Sequence, residues 1–221
     1  DETLYGTVSY KLPFAEAARR DIICSYKILI SVITTDELNA YLLDHGITLV
    51  DGDKIGVRWV ANQLALKRAI EQTNASKIIT FHSRVRTAQA FVEASPHGIA
   101  RHINDFSVFH VNGEQPASER DDTITAFRDA AKGLIANARC LTEGVDVPAV
   151  DMVAFVDPRK SRVDIAQAVG RAMRKAPNKT VGYVVVPLFL DQKKDESIEA
   201  ALERSDFDEV ANVVNAMREQ D

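Results

Sequence analysis

The sequence contains 221 residues, of which 46% are hydrophobic and 27% charged, and its formal net charge at pH 7 is −5. This composition is that of an ordinary globular protein, and no run approaches the roughly 20 apolar residues that would span a bilayer. The negative net charge excludes a general attraction to nucleic acid, so any contact with a polyanion must be local.

The two cysteines, Cys24 and Cys140, each stand alone, without a second cysteine or a histidine at metal-ligand spacing. Isolated cysteines argue against a disulfide framework or a zinc site, and we expect no metal bound by this chain itself. They are compatible with the reducing cytoplasm, where we place the protein. The N-terminal sequence has no signal-peptide pattern, and no membrane partner is predicted.

Short apolar segments alternate with segments of helical periodicity along the chain. We predict strands over residues 26–33, 77–81, 107–111, 133–136, 152–156 and 181–186. We predict helices over residues 57–72, 85–94 and 198–217, the last as one helix or a pair, and two more that begin near Ser118 and Ser161. Strands separated by helices are typical of βαβ units, so the pattern predicts one α/β domain with a mostly parallel sheet.

Local signals set the expected boundaries of these elements. Ser118 and Ser161 are each followed three residues later by an aspartate, a spacing typical of helix starts. Pro187 interrupts an apolar run, and the strand before it is expected to lead into a loop. We divide the chain into a lead-in over residues 1–22, the α/β domain over 23–190 and a C-terminal helical extension over 191–221.

Polar clusters follow three of the predicted strands. They read FHSR from Phe81, LTEGVDVP from Leu141 and DPRKS from Asp157. In open α/β sheets ligands bind beyond the carboxyl ends of the strands, so these clusters mark the expected site.

The segment QAVGRAMRK carries a polar stripe on the helix that follows DPRKS. Its members stand at positions i, i+3, i+4 and i+7, which share one helix face: Gln167, Gly170, Arg171 and Arg174. The other side is apolar and is expected to be buried: Ile165, Val169, Ala172 and Met173. The pattern predicts a helix that presents two guanidinium groups outward.

In this order, F-H-S-R, L-T-E-G-V-D-V-P and Q-A-V-G-R-A-M-R resemble conserved blocks four, five and six of superfamily 2 helicases. These blocks belong to the second RecA-like lobe of the motor, and the resemblance spans about half the chain, residues 77–187. It implies a RecA-like, P-loop NTPase-type fold with three α/β/α layers. The lead-in YGTVSYKLPFAEAARRDIICSYKILI is similar to the segment that joins the lobes in bacterial restriction-type helicases.

The resemblance also implies roles for individual residues. Two arginines would act as fingers that neutralise charge on the γ-phosphate: Arg171 and Arg174. Five residues would lie at the nucleotide: Gln167, Gly170, Glu143, Gly144 and Asp146. Three would contact the nucleic-acid backbone: Ser83, Arg84 and Thr142. Ala138 departs from the pattern, since many relatives carry a phosphate-binding threonine there.

The sequence has no G-x-x-x-x-G-K-[ST] loop, and no apolar strand runs into an acidic pair that could hold Mg²⁺. In the family both belong to the first lobe. We therefore expect ATP and Mg²⁺ to be bound mainly by an N-terminal lobe, this chain's partner within one polypeptide, and this chain alone to be inactive. We expect DNA rather than RNA as the nucleic-acid partner.

Other interpretations remain open from sequence. The arginines could form a solvated helix edge, E-G-x-D could be a simple turn, His82 could lie at the surface and Ser83 could cap the next helix. The domain could be a non-catalytic module that binds nucleic acid or a protein partner. An unrelated doubly wound enzyme for a small phosphorylated ligand would need a Gly-rich phosphate loop after a strand, which the sequence lacks.

Overall fold

The computed structural model describes residues 12–46, 54–93, 98–138, 140, 150–157, 162–177, 179–193, 196–205 and 207–218. Six strands form one sheet in the order β1-β6-β5-β2-β4-β3, and every adjacent pair is parallel. They are β1 (Ser25–Thr34), β2 (Lys77–His82), β3 (Ser107–Asn112), β4 (Gly133–Ala138), β5 (Met152–Phe155) and β6 (Val181–Leu190). The predicted parallel α/β architecture is confirmed.

Each predicted helical region is present in the structure, and two further helices, the first two along the chain, were not predicted. The helices are α1 (Phe14–Arg19), α2 (Thr35–Asp44), α3 (Lys54–Thr73), α4 (Val85–Val92), α5 (Ala117–Asp129), α6 (Arg162–Ala172), α7 (Ile198–Glu203) and α8 (Phe207–Arg218), with a 3₁₀ turn at Ile99–Arg101. Among the described helices, none combines the length and hydropathy needed to cross a bilayer.

Helices cover both faces of the sheet. Successive residues of a strand point to opposite faces, so Ile79 and Phe81 of β2 join one buried cluster while Ile78 joins another. The first cluster includes residues of α5, α6 and α8, and the second includes residues of α3 and α4. The chain therefore has the three-layer α/β/α arrangement of a RecA-like fold.

Helix α2 was not predicted, although its start carries a clear local signal. The Thr34 hydroxyl accepts the Glu37 N–H at 3.3 Å, and the Thr34 N–H donates to Glu37 Oε2 at 2.9 Å. This reciprocal pair is a capping box and satisfies two backbone donors that a helix start leaves free. The helix then buries Leu38 against the core.

One predicted helix cap and one predicted strand boundary are wrong. Ser118 does not cap α5, because the helix begins at Ala117 with Pro116 as its N-cap and no side-chain cap. Strand β6 does not end at Pro187. Its pairing with β5 stops at Val185, whereas its pairing with β1 continues to Leu190. Beyond Val185 the described strands pair β6 on one side, where a residue without an N–H can be accommodated. Ser161 lies outside the described residues.

Candidate functional site

Buried polar side chains collect at the carboxyl ends of the strands. Thr80 and His82 near the end of β2 are fully buried, with the Thr80 hydroxyl 3.0 Å from His82 Nε2. The His82 ring lies beside Trp59 and Phe91, with centroid distances of 6.4 and 4.9 Å. The alternative that His82 is a surface residue is therefore wrong. Burying polar groups costs free energy, so their concentration at this edge of the sheet indicates a role beyond packing.

Two buried asparagines hold the backbone where the chain leaves the sheet. Asn137 in β4 accepts the Cys140 N–H on its side-chain oxygen at 3.1 Å. Asn62 in α3 donates its amide to the Val156 carbonyl at 3.2 Å. Each hydrogen bond holds a residue, Cys140 or Val156, that comes shortly before a predicted site segment in the chain. Sequence reasoning missed both asparagines, although an asparagine inside the apolar run GLIANA was a usable signal.

Ser83 and Arg84 follow β2 directly, and the structure separates their environments. Ser83 is half-buried and donates its N–H and its hydroxyl to Asp157 Oδ2, at 3.1 and 2.5 Å. Arg84 is exposed and is the N-cap residue of α4, without a side-chain cap hydrogen bond. Ser83 therefore does not cap this helix, which removes that alternative.

Helix α6 buries the face that the sequence predicted. Ile165, Val169 and Ala172 are fully buried in the core, as is Met173 just beyond the helix end. Residues of α8 belong to the same buried cluster, so the C-terminal helix covers α6 from outside.

The two arginines of the predicted stripe differ in burial. Arg171 is only 8% exposed, so the prediction that it points outward is wrong. Its charge and that of Arg120 act to lower the pKa of the Cys140 thiol, which burial raises more strongly. The Arg171 guanidinium is thus held near the end of β4. Arg174 is exposed and lies past the end of α6, in a turn where its N–H donates to the Arg171 carbonyl at 3.3 Å.

Gly170 stands in the interior of α6, beside Arg171. A Cβ built at this position would meet no heavy atom within 4 Å. Glycine in a helix interior costs about 1 kcal/mol relative to alanine, and the packing of this lobe does not require it here. The open space is suited to the approach of a group outside the lobe. Gln167, one turn earlier, is half-buried.

The C-terminal end of α6 is fixed by contacts from three parts of the chain. Lys179 Nζ donates to the carbonyls of Val150 at 2.6 Å, Arg174 at 3.0 Å and Ala172. Burial lowers the pKa of Lys179, and its ammonium satisfies carbonyls that a helix end leaves unpaired. Before β1, the Cys24 N–H donates to the Met173 carbonyl at 3.0 Å.

Gly182 supplies the third contact at this end. A Cβ there would lie 2.1 Å from the Ala172 carbonyl oxygen, which is too close for any side chain. Glycine thus lets the end of α6 rest directly on β6. These restraints set the position of Arg171 and Arg174 relative to the sheet.

The remaining predicted residues, Thr142, Glu143, Gly144 and Asp146, lie outside the described residues. Cys140 precedes them closely, so the described site reaches the start of their segment. Within the described ranges, no group of three or more histidine, cysteine, aspartate or glutamate side chains is placed to hold a metal ion.

Residues 61–176 match the family described as helicase conserved C-terminal domain. The ATP-dependent RNA helicase HAS1 of Saccharomyces cerevisiae is 28% identical over 145 residues, covering 66% of this chain and 26% of that protein. The ATP-dependent RNA helicase has1 of Schizosaccharomyces pombe is 30% identical over 132 residues, covering 60% of this chain and 21% of that protein. This chain therefore matches about a quarter or less of the length of these curated relatives.

Two restriction enzymes share the fold. The ATP-dependent Type ISP restriction-modification enzyme LlaBIII bound to DNA superposes with a TM-score of 0.72 at 26% identity, covering 100% of this chain and 16% of that one. A putative HsdR subunit of a type I restriction enzyme from Vibrio vulnificus YJ016 superposes with a TM-score of 0.60 at 18% identity, covering 84% of this chain and 36% of that one.

Proposed function

The chain belongs to the helicase conserved C-terminal domain family and is a C-terminal lobe of the superfamily 2 type, and we propose that it completes the ATP site of a nucleic-acid motor. In this proposal the phosphate loop and the Mg²⁺ ligands come from an N-terminal lobe of the same polypeptide. The arginine fingers and half of the nucleic-acid track come from residues 23–190, followed by the helical extension over 191–221.

The observation that carries this proposal is the position of Arg171, which is buried at the restrained C-terminal end of α6. A guanidinium, a planar and permanently protonated fork, binds phosphate oxygens in a bidentate manner. The two guanidinium groups at this end of α6 therefore fit the phosphate oxygens of a nucleotide.

Arg171 and Arg174 would act together on the γ-phosphate presented by the first lobe. Charge that develops on its oxygens in the transition state is neutralised by an arginine from a second body. The restraints on the end of α6 hold the backbone of Arg171 and Arg174 in place, which limits reorganisation during the reaction. We propose that five residues lie beside the nucleotide, where the open space at Gly170 allows close approach: Gln167, Gly170, Glu143, Gly144 and Asp146.

For the nucleic-acid track we propose contacts from Ser83, Arg84 and Thr142 to the phosphate backbone. Hydroxyl groups and an exposed arginine suit contacts that position a strand without reading its sequence. We propose DNA as the partner, because the DNA-bound restriction enzyme aligns over the whole chain at 26% identity. The RNA helicase relatives make RNA the alternative outcome in any binding test.

We expect the isolated 221-residue chain to hydrolyse no ATP, with or without DNA or RNA, because the phosphate loop is absent from its sequence. The measurement is phosphate release by the purified chain, with Arg171→Ala purified in parallel as the control for contaminating ATPases. Turnover by the isolated chain that is absent from the Arg171→Ala preparation would contradict the division of labour between two lobes.

A further inference from the structure

We propose that Asp157 is a positioning residue that holds the Ser83–Arg84 corner, just after β2, in the geometry that contacts nucleic acid. This inference rests on the proposed function, because it concerns how the same lobe grips a strand. Asp157 does not itself contact the ligand in this account. It acts through Ser83 and Thr87.

The carboxylate of Asp157 is surrounded by donors from the corner after β2. Its Oδ2 accepts the Ser83 N–H at 3.1 Å and the Ser83 hydroxyl at 2.5 Å. The Thr87 hydroxyl lies 3.3 Å from the same oxygen and 2.8 Å from the Arg84 carbonyl, and can donate to either. Ser83 and Thr87, which bracket Arg84 in the chain, both contact this carboxylate. The carboxylate therefore fixes the backbone from which the exposed Arg84 side chain extends.

Sheet register brings these residues together. Strands β2 and β5 are parallel neighbours, and Phe81 pairs with Phe155. Ser83 and Asp157 each lie two residues further on, so they leave the sheet at the same level. The Asp157 N–H also donates to the Phe81 carbonyl at 3.4 Å, which extends the pairing beyond the strands. Asn62 fixes the preceding carbonyl, that of Val156, at 3.2 Å.

The position of Asp157 in the chain relates this contact to the predicted arginines. The segment that follows Asp157 leads to α6, whose last turn carries Arg171. One carboxylate thus accepts hydrogen bonds from the predicted nucleic-acid corner and belongs to a residue that precedes, in the chain, the helix carrying the predicted arginines.

The opposite end of β5 provides a matched control. Asp151 Oδ2 accepts the Ser76 N–H, the Ser76 hydroxyl and the Lys77 N–H at 2.9, 2.8 and 2.9 Å. It therefore joins β5 to β2 through the same chemistry at the amino edge, at the other end of the sheet from the Ser83–Arg84 corner. Loss of Asp151 should lower stability in the same way without moving the Ser83–Arg84 corner.

The test measures ATP hydrolysis by the full-length protein as a function of single-stranded DNA concentration. We expect Asp157→Ala to raise the DNA concentration for half-maximal stimulation by about tenfold or more, the scale of one lost charge-assisted contact. The KM for ATP should stay unchanged.

Asp151→Ala, compared at the same interval below its own Tm, should keep the wild-type DNA dependence. If Asp157→Ala does not fold, Asp157→Glu displaces the carboxylate by one methylene and should show the same shift.

The outcomes separate this inference from the function on which it rests. A wild-type protein whose ATP hydrolysis responds to neither DNA nor RNA would overturn both. A wild-type protein that is stimulated, with Asp157→Ala unchanged or with Asp151→Ala shifted equally, would overturn only the role of Asp157. A shift in DNA dependence that is seen for the Asp157 variant and not for Asp151→Ala supports the role of Asp157.

Discussion

Replacing Arg171 or Arg174 by alanine in the full-length protein is expected to lower kcat for nucleic-acid-stimulated ATP hydrolysis by about 10³-fold or more, the scale of an arginine finger. The loss should fall on kcat rather than on KM, because the guanidinium matches charge that develops in the transition state. Lysine at either position should not restore activity, since a point charge lacks the bidentate fork.

The two positions need different controls because their burial differs. Arg174 is exposed, so Arg174→Ala should leave the Tm almost unchanged. Arg171 is buried, so its alanine variant can lose packing as well as charge. Arg171→Met keeps most of the volume and should retain stability while losing the same kcat. Near-normal kcat in a variant that melts early would show that the arginine is structural.

Gly182→Ala is expected to destabilise the lobe by about 2–3 kcal/mol, the cost of overpacking a filled site. The added Cβ would lie 2.1 Å from the Ala172 carbonyl oxygen, so the end of α6 must move away from β6. This movement carries Arg171 with it, and a misplacement of about 1 Å can lower activity 10²-fold. Denaturant unfolding of the chain and kcat of the full-length protein measure the two effects.

Gly170→Ala is the matched control for this change. It adds the same methyl group within α6, where no heavy atom lies within 4 Å of the new Cβ. It should stabilise the lobe by about 1 kcal/mol through helix propensity. Equal destabilisation by both substitutions would show that the contact between Gly182 and Ala172 does not position the helix.

Hydrophobic periodicity predicted most of the fold. The apolar runs of β2 and β5 and the buried face of α6 were all found, because a strand covered on both faces and a docked helix leave strong patterns. The boundary at Pro187 failed for a tertiary reason. Whether a proline ends a strand depends on which neighbours still pair beside it, and that is set by the lengths of β1 and β5.

The candidate site was predicted less completely, since its geometry depends on distant contacts. Helical spacing placed Arg171 and Arg174 on one face, but it could not show that α6 ends at Ala172 or that Arg171 is buried near Cys140. The contact between Asp157 and Ser83 could not be predicted from sequence, because Ser83 lies 74 residues earlier in the chain. Only the register of β2 with β5 brings them together.

The most direct test of the two-lobe account is the rate of ATP hydrolysis by the full-length protein with and without DNA, measured beside a variant that lacks residues 23–190. We expect hydrolysis that DNA stimulates in the full-length protein and none in the shortened one, because the arginines of this lobe complete the site. Equal turnover by the shortened protein, or turnover that no nucleic acid changes, would contradict the account.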